Sequence, residues 1–143
     1  MVEQITNIYT RPLCRTERVY LIYHDLCPPF ANQIVLEGLG SFDEERWKQA
    51  VQKASAANPG ARLVLKGCWI ASRWVDSGIT PRVRFVNGLG WDGSGGPDGS
   101  PFEQGPLNPY DGTACEVVLM PGDPLRVAFR SHHALMDGRA TLF

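Results

Sequence analysis

The alternation of apolar and polar positions divides this chain into short strands and one clear helix. After Ser41-Phe42-Asp43-Glu44, the residues Trp47, Ala50, Val51 and Ala54 fall at i, i+3, i+4 and i+7. That spacing lays an apolar stripe along a helix, and Ser and Glu three apart give it a capping-box start. Asn58-Pro59-Gly60 ends it. Strands are predicted at 33–38, 62–66, 81–86, 116–120 and 125–130, where apolar residues alternate or cluster between turn residues. The last two flank Pro121-Gly122-Asp123-Pro124 and should form a hairpin. Segment 68–75 is apolar and aromatic enough to be buried, while Val19-Tyr20-Leu21-Ile22-Tyr23 reads as strand by propensity. The pattern as a whole predicts an α/β chain with a mixed β-sheet flanked by helices.

Between residues 88 and 112 the periodicity gives way to a Gly- and Pro-rich stretch, expected to be a flexible loop because so long a connection is unusual in a compact domain. It offers no ligand motif. A phosphate cradle needs Lys-Ser/Thr and a helix after its glycines, and these are missing. Asp92 to Glu103 has the length of a calcium loop, but Gly96 supplies no side-chain ligand and Pro97 stands where such a loop needs Gly. Asp92-Gly93-Ser94-Gly95-Gly96-Pro97 echoes the nucleophile segment of trypsin-like proteases without a triad context.

With 143 residues, 43% hydrophobic and 20% charged, and a formal net charge of -1, the chain has the size and composition of one soluble domain. No basic excess recommends nucleic acid or an anionic membrane surface. No apolar run approaches the roughly 20 residues of a membrane span. Met1-Val2-Glu3-Gln4-Ile5-Thr6-Asn7 lacks the basic and apolar regions of a secretory signal, so a cytoplasmic location is expected. Cys14, Cys27, Cys68 and Cys115 contain no C-x-x-C pair and are expected to be reduced, small buried side chains rather than zinc ligands.

Chemistry enters at Ser131-His132-His133-Ala134-Leu135-Met136-Asp137-Gly138. Adjacent histidines followed at fixed offset by Asp-Gly arise by chance in so short a chain roughly once in a few thousand, which favours a functional pair over two structural histidines. On a continuing strand His132 and His133 project to opposite sides, so one faces a given cleft and the other packs. An imidazole with a pKa of roughly 6.5 is the usual general base at neutral pH. Asp137-Gly138 should turn the chain and open a helix at 139–143.

At these residues the chain resembles the chloramphenicol-acetyltransferase-like, CoA-dependent acyltransferase superfamily, which includes peptide-synthetase condensation domains and polyketide-associated acyltransferases. Its signature H-H-x-x-x-D-G is matched at His132, His133, Asp137 and Gly138. The resemblance implies that His133 is catalytic and that Asp137 is mainly structural, turned into a salt bridge with an Arg. In condensation domains that Arg closes an R-H-E-x-L-R motif. Of this motif Asn58-Pro59-Gly60-Ala61-Arg62 keeps only Arg62, which becomes the candidate partner of Asp137. Arg11, Leu13 and Glu17 are similar to the R-x-L-x-x-x-E opening of polyketide-associated acyltransferases, which implies a helix from about 14 to 24. The glutamine-containing opening of peptide-synthetase condensation domains is absent. Pro106-Leu107-Asn108 is similar to a short P-[FL]-[DN] segment that precedes the signature.

The resemblance therefore implies that residues 1–143 form the N-terminal lobe of a chloramphenicol-acetyltransferase-like two-lobe fold, with the C-terminal lobe supplied as a separate polypeptide. The implied reaction transfers an acyl group from acyl-CoA or a phosphopantetheinyl carrier protein, as co-substrate, to a hydroxyl or amine, in natural-product or lipid biosynthesis. No bound cofactor and no metal are expected. Two rivals differ in class. One is a non-catalytic docking module for a carrier protein; the other is a metal hydrolase using His132, His133 and Asp137, which the divergence of adjacent strand residues disfavours.

Overall fold

The computed structural model describes residues 8–94, 99–101, 107–112, 114–137 and 139–140. In chain order the elements are β1 (Thr10–Pro12), α1 (Arg15–Leu26), β2 (Ala31–Gly38), α2 (Glu44–Ala57), β3 (Leu63–Lys66), β4 (Arg73–Asp76), β5 (Arg82–Phe85), β6 (Cys115–Met120) and β7 (Leu125–His132). They form a four-stranded sheet ordered β2-β7-β6-β5 and a three-stranded sheet ordered β1-β4-β3. The larger sheet is mixed: β7 is antiparallel to both neighbours and β5 is parallel to β6. The hairpin predicted at 121–124 joins β6 to β7.

α1 is a helix, as the resemblance implied and the strand propensity of 19–23 did not. The Glu17 carboxylate accepts the Cys14 backbone N–H at 2.7 Å and pairs with Arg11 at 2.7 Å, which satisfies a donor that the first helical turn leaves open. Leu13, between them, is 8% exposed and sits in the core with Leu63, Leu65 and Trp74. The helix turns Tyr20 and Leu21 toward that core. Val19, Ile22, Tyr23 and Leu26, at i, i+3, i+4 and i+7, form an outward apolar stripe exposed by 45% to 75%.

α2 starts two residues later than the Ser41–Glu44 pattern predicted. Asp43 is its N-cap and accepts the Arg46 N–H at 3.1 Å. Its inward line is Trp47, Val51 and Ser55, while Ala50 and Ala54 are exposed. Trp47, Val51 and Phe42 pack on Val117, Leu119 and Val127, covering one face of the larger sheet.

Two other expectations are corrected. In segment 68–75 only part is buried: Trp74 is fully enclosed, but Ile70 is 93% exposed and Cys68 is exposed. Cys14 and Cys27 are exposed as well, which leaves Cys115 as the one buried cysteine, with its thiol pushed up to about 12 by burial. Within the 88–112 stretch, some of the described residues contact the sheets. Arg126 donates to the Trp91 carbonyl at 2.6 Å and lies 5.2 Å above the Trp91 ring. Leu107 is 1% exposed, and the Pro109 carbonyl accepts the Leu65 N–H at 2.7 Å.

The larger sheet also carries a buried charge cluster. The Glu116 carboxylate on β6 accepts from Arg82 at 2.7 Å, from Arg84 at 3.0 Å, and from Arg130. Alternation places these residues on one face of β5, β6 and β7. Burial alone would raise the Glu116 pKa, but hydrogen bonds from Arg84 and Arg82 and the charges of Arg84 and Arg130 outweigh it and hold the carboxyl below its usual range.

Candidate active site around the paired histidines

β7 lies between β2 and β6, so its backbone is tied on both sides before the histidines are reached. His132 is its last residue, paired with Ala31 of β2, and its N–H donates to the Ala114 carbonyl at 2.7 Å. The chain then turns. The His132 carbonyl accepts from Leu135 at 2.9 Å and Met136 at 3.2 Å, and the Ala134 N–H donates to His132 Nδ1 at 3.1 Å. Asn32 ties the turn down through a 2.5 Å bond from Nδ2 to the Met136 carbonyl.

The two imidazoles enter different surroundings. His132 is 0% exposed, with the His24 ring of α1 at 4.4 Å. Since its Nδ1 accepts a hydrogen bond, the proton of the neutral ring sits on Nε2, which is buried without a partner. Burial, then the neighbouring His24 and His133, push its pKa down to about 4. His132 is therefore neutral at neutral pH and enclosed, a packing residue.

His133 is half-buried at the start of the turn, and its N–H donates to the Phe30 carbonyl at 3.1 Å. Its ring stacks on Phe30, centroids 5.2 Å apart with planes 18° apart, and meets Tyr20 at 4.4 Å. Among the described residues Nδ1 is buried without a partner, which leaves Nε2 as the nitrogen open to a reacting group. A half-buried imidazole with one accessible nitrogen can accept and return a proton.

Asp137 is exposed and does not pair with Arg62. The turn after β7 carries it to the surface, where its carboxylate accepts the Ala140 N–H at 2.7 Å. The Arg62 guanidinium is committed elsewhere: it grips Asp76 through two bonds of 3.1 and 2.6 Å. The Arg62–Asp137 pair is therefore not formed, because Arg62 sits at the head of β3 facing the end of its partner strand β4. Gly138 and most of the helix expected at 139–143 lie outside the described residues.

Tyr20, His24 and Phe30 were missed in the sequence because they lie about a hundred positions from the motif. One signal was available: the chain has only 3 histidines, and all of them meet here. A groove of about 1020 Å3 is lined by Val51, Leu63, Val117, Phe129 and Leu135 among others, and neither motif histidine lines it.

No family model matches the chain, and no curated protein matches it in sequence. Its likeness is to solved structures. The starter condensation domain of rhizomide synthetase RzmA superposes with a TM-score of 0.60 at 19% identity, covering 92% of this chain and 34% of that one. The condensation domain from Monacolin K polyketide synthase MokA gives 0.60 at 14% identity, covering 88% and 30%. The epimerization domain from the third module of tyrocidine synthetase B gives 0.58 at 14% identity, covering 88% and 31%. Two sheets flanked by helices are thus the fold of one lobe of a condensation domain, and the chain spans about a third of the length of these structures.

Proposed function

We propose that this chain is the N-terminal lobe of an acyltransferase that moves an acyl group from a thioester to a hydroxyl or amine, with His133 as general base. The observation that carries this reading is the half-buried His133 imidazole, fixed between two rings with Nδ1 enclosed and Nε2 open. His133 Nε2 takes the proton of the acceptor O–H or N–H as that atom attacks the thioester carbonyl. The new C–O or C–N bond forms, the tetrahedral intermediate collapses with cleavage of C–S, and the imidazolium returns its proton to the departing thiolate. Acyl-CoA or an acylated phosphopantetheine arm of a carrier protein serves as donor, in cytoplasmic natural-product biosynthesis. The origin of the similar structures in polyketide and nonribosomal peptide synthetases supports that setting.

The wall facing His133 is proposed to come from a second lobe of the kind that makes up the rest of the similar domains. The one-third coverage of the similar domains supports a second lobe. The test gives the protein, with its second lobe present, a panel of acyl thioesters and candidate acceptors and reads products by mass spectrometry. His133→Ala should lower turnover by roughly 10²- to 10⁴-fold with the fold retained. Full turnover in that variant would remove His133 as the base. Binding of a loaded carrier protein with no turnover by the parent would favour the docking module instead.

A further inference from the structure

A histidine base needs its ring plane set, because rotation about the terminal ring torsion is broad and roughly two-fold. The usual device is an acceptor on the far nitrogen. Among the described residues His133 has none: its Nδ1 is buried without a hydrogen-bond partner there. Something else must hold the ring. We propose that Tyr20 and Phe30 are positioning residues, an aromatic clamp that fixes the plane of the His133 imidazole and so the direction of its open nitrogen. The proposal rests on the reading of His133 as the base.

The clamp is built from one continuous stretch. Tyr20 meets the imidazole from α1 at 4.4 Å, and Phe30 stacks on it at 5.2 Å. Tyr20 and Phe30 also touch each other, with centroids 5.5 Å apart, so the three rings form a closed set. Phe30 cannot drift independently of the base, because its carbonyl accepts the His133 N–H at 3.1 Å. Its own N–H faces His24 Nδ1 at 3.5 Å, and the His24 ring packs on His132 at 4.4 Å. Helix, aromatic hinge and strand end thereby move as a unit. The register of β2 on β7, which pairs Ala31 with His132, sets Phe30 beside His133.

The test uses the three-histidine content of the chain, which leaves few imidazole signals to assign. In the 143-residue chain the ring protons of His133 should be displaced upfield by two flanking ring currents and should show cross-relaxation to Tyr20 and Phe30. Phe30→Leu keeps both backbone bonds and removes the ring. It should reduce that displacement to the part due to Tyr20 and, with the second lobe present, lower kcat roughly 10- to 100-fold while KM stays within about twofold. Phe30→Tyr, which restores a ring, should recover both. Undisplaced His133 signals in the parent chain, a measurement that needs no variant, would overturn the clamp. So would a folded Phe30→Leu with unchanged kcat. Turnover retained by His133→Ala, with the displacement present in the parent, would instead overturn the base assignment beneath it.

Discussion

His132 and His133 are covalent neighbours in different media, and the difference titrates. The unfolded chain charges His132 near its ordinary 6.5, whereas burial holds the folded imidazole neutral down to about 4. The unfolded state therefore binds more protons between those values. This contribution is full above about pH 6.5 and lost as pH falls toward 4, an amount on the order of 3 kcal/mol. Urea melts across that window should show stability falling with acidity, and His132→Phe should flatten the slope; an unchanged slope would show that His132 is not the titrating group. Glu116 acts in a lower window. Its depressed pKa contributes stability above the ordinary 4.5, which is lost as pH falls below that value. At this scale the sequence showed the histidine pair and its divergent neighbourhoods, because both follow from adjacent residues. It did not show Tyr20, His24 or Phe30, which reach the pair only through the pairing of β2 with β7.

At the scale of elements, four charged residues inside β5, β6 and β7 form a knot that alternation alone does not reveal. Arg130 and Glu116 have fully buried side chains, while the Arg82 side chain is 48% exposed. Glu116→Gln removes the buried anion that three guanidinium groups share, Arg130 among them, and should cost about 3 to 5 kcal/mol. Arg82→Ala removes a partner that water can replace and should cost about 1 kcal/mol or less. Thermal melts that rank these two variants the other way would refute this account of the cluster. A double-mutant cycle separates the pairing seen from the pairing expected. Arg62 and Asp76 should couple by roughly 0.5 to 3 kcal/mol, and Arg62 and Asp137 should add within about 0.5 kcal/mol. α1 shows why propensity misled. Its β-branched and aromatic residues lie largely on the exposed face, and the Arg11–Glu17 pair with the Cys14 bond, rather than intrinsic preference, starts the helix.

For the whole molecule, the stripe of Val19, Ile22, Tyr23 and Leu26 is an exposed apolar face of the kind that favours contact between chains. Sedimentation should show the isolated chain associating with rising concentration, and Leu26→Lys should reduce that association without moving the His133 signals. A parent chain that stays monomeric throughout would show that the stripe is too small to drive contact. The pairing of Ala31 with His132 carries a further consequence, for the order of assembly. β7 is the last strand in sequence yet lies between β2 and β6 in the larger sheet, so β2 has no partner there until β7 has been made. The closure joins positions about a hundred residues apart, and such contacts cost loop entropy before they repay it. The clamp, the neutral histidine and the base should therefore appear together in one late cooperative step, and a nascent chain stopped before residue 125 would hold β2 as an open strand edge, exposed to pairing with other chains.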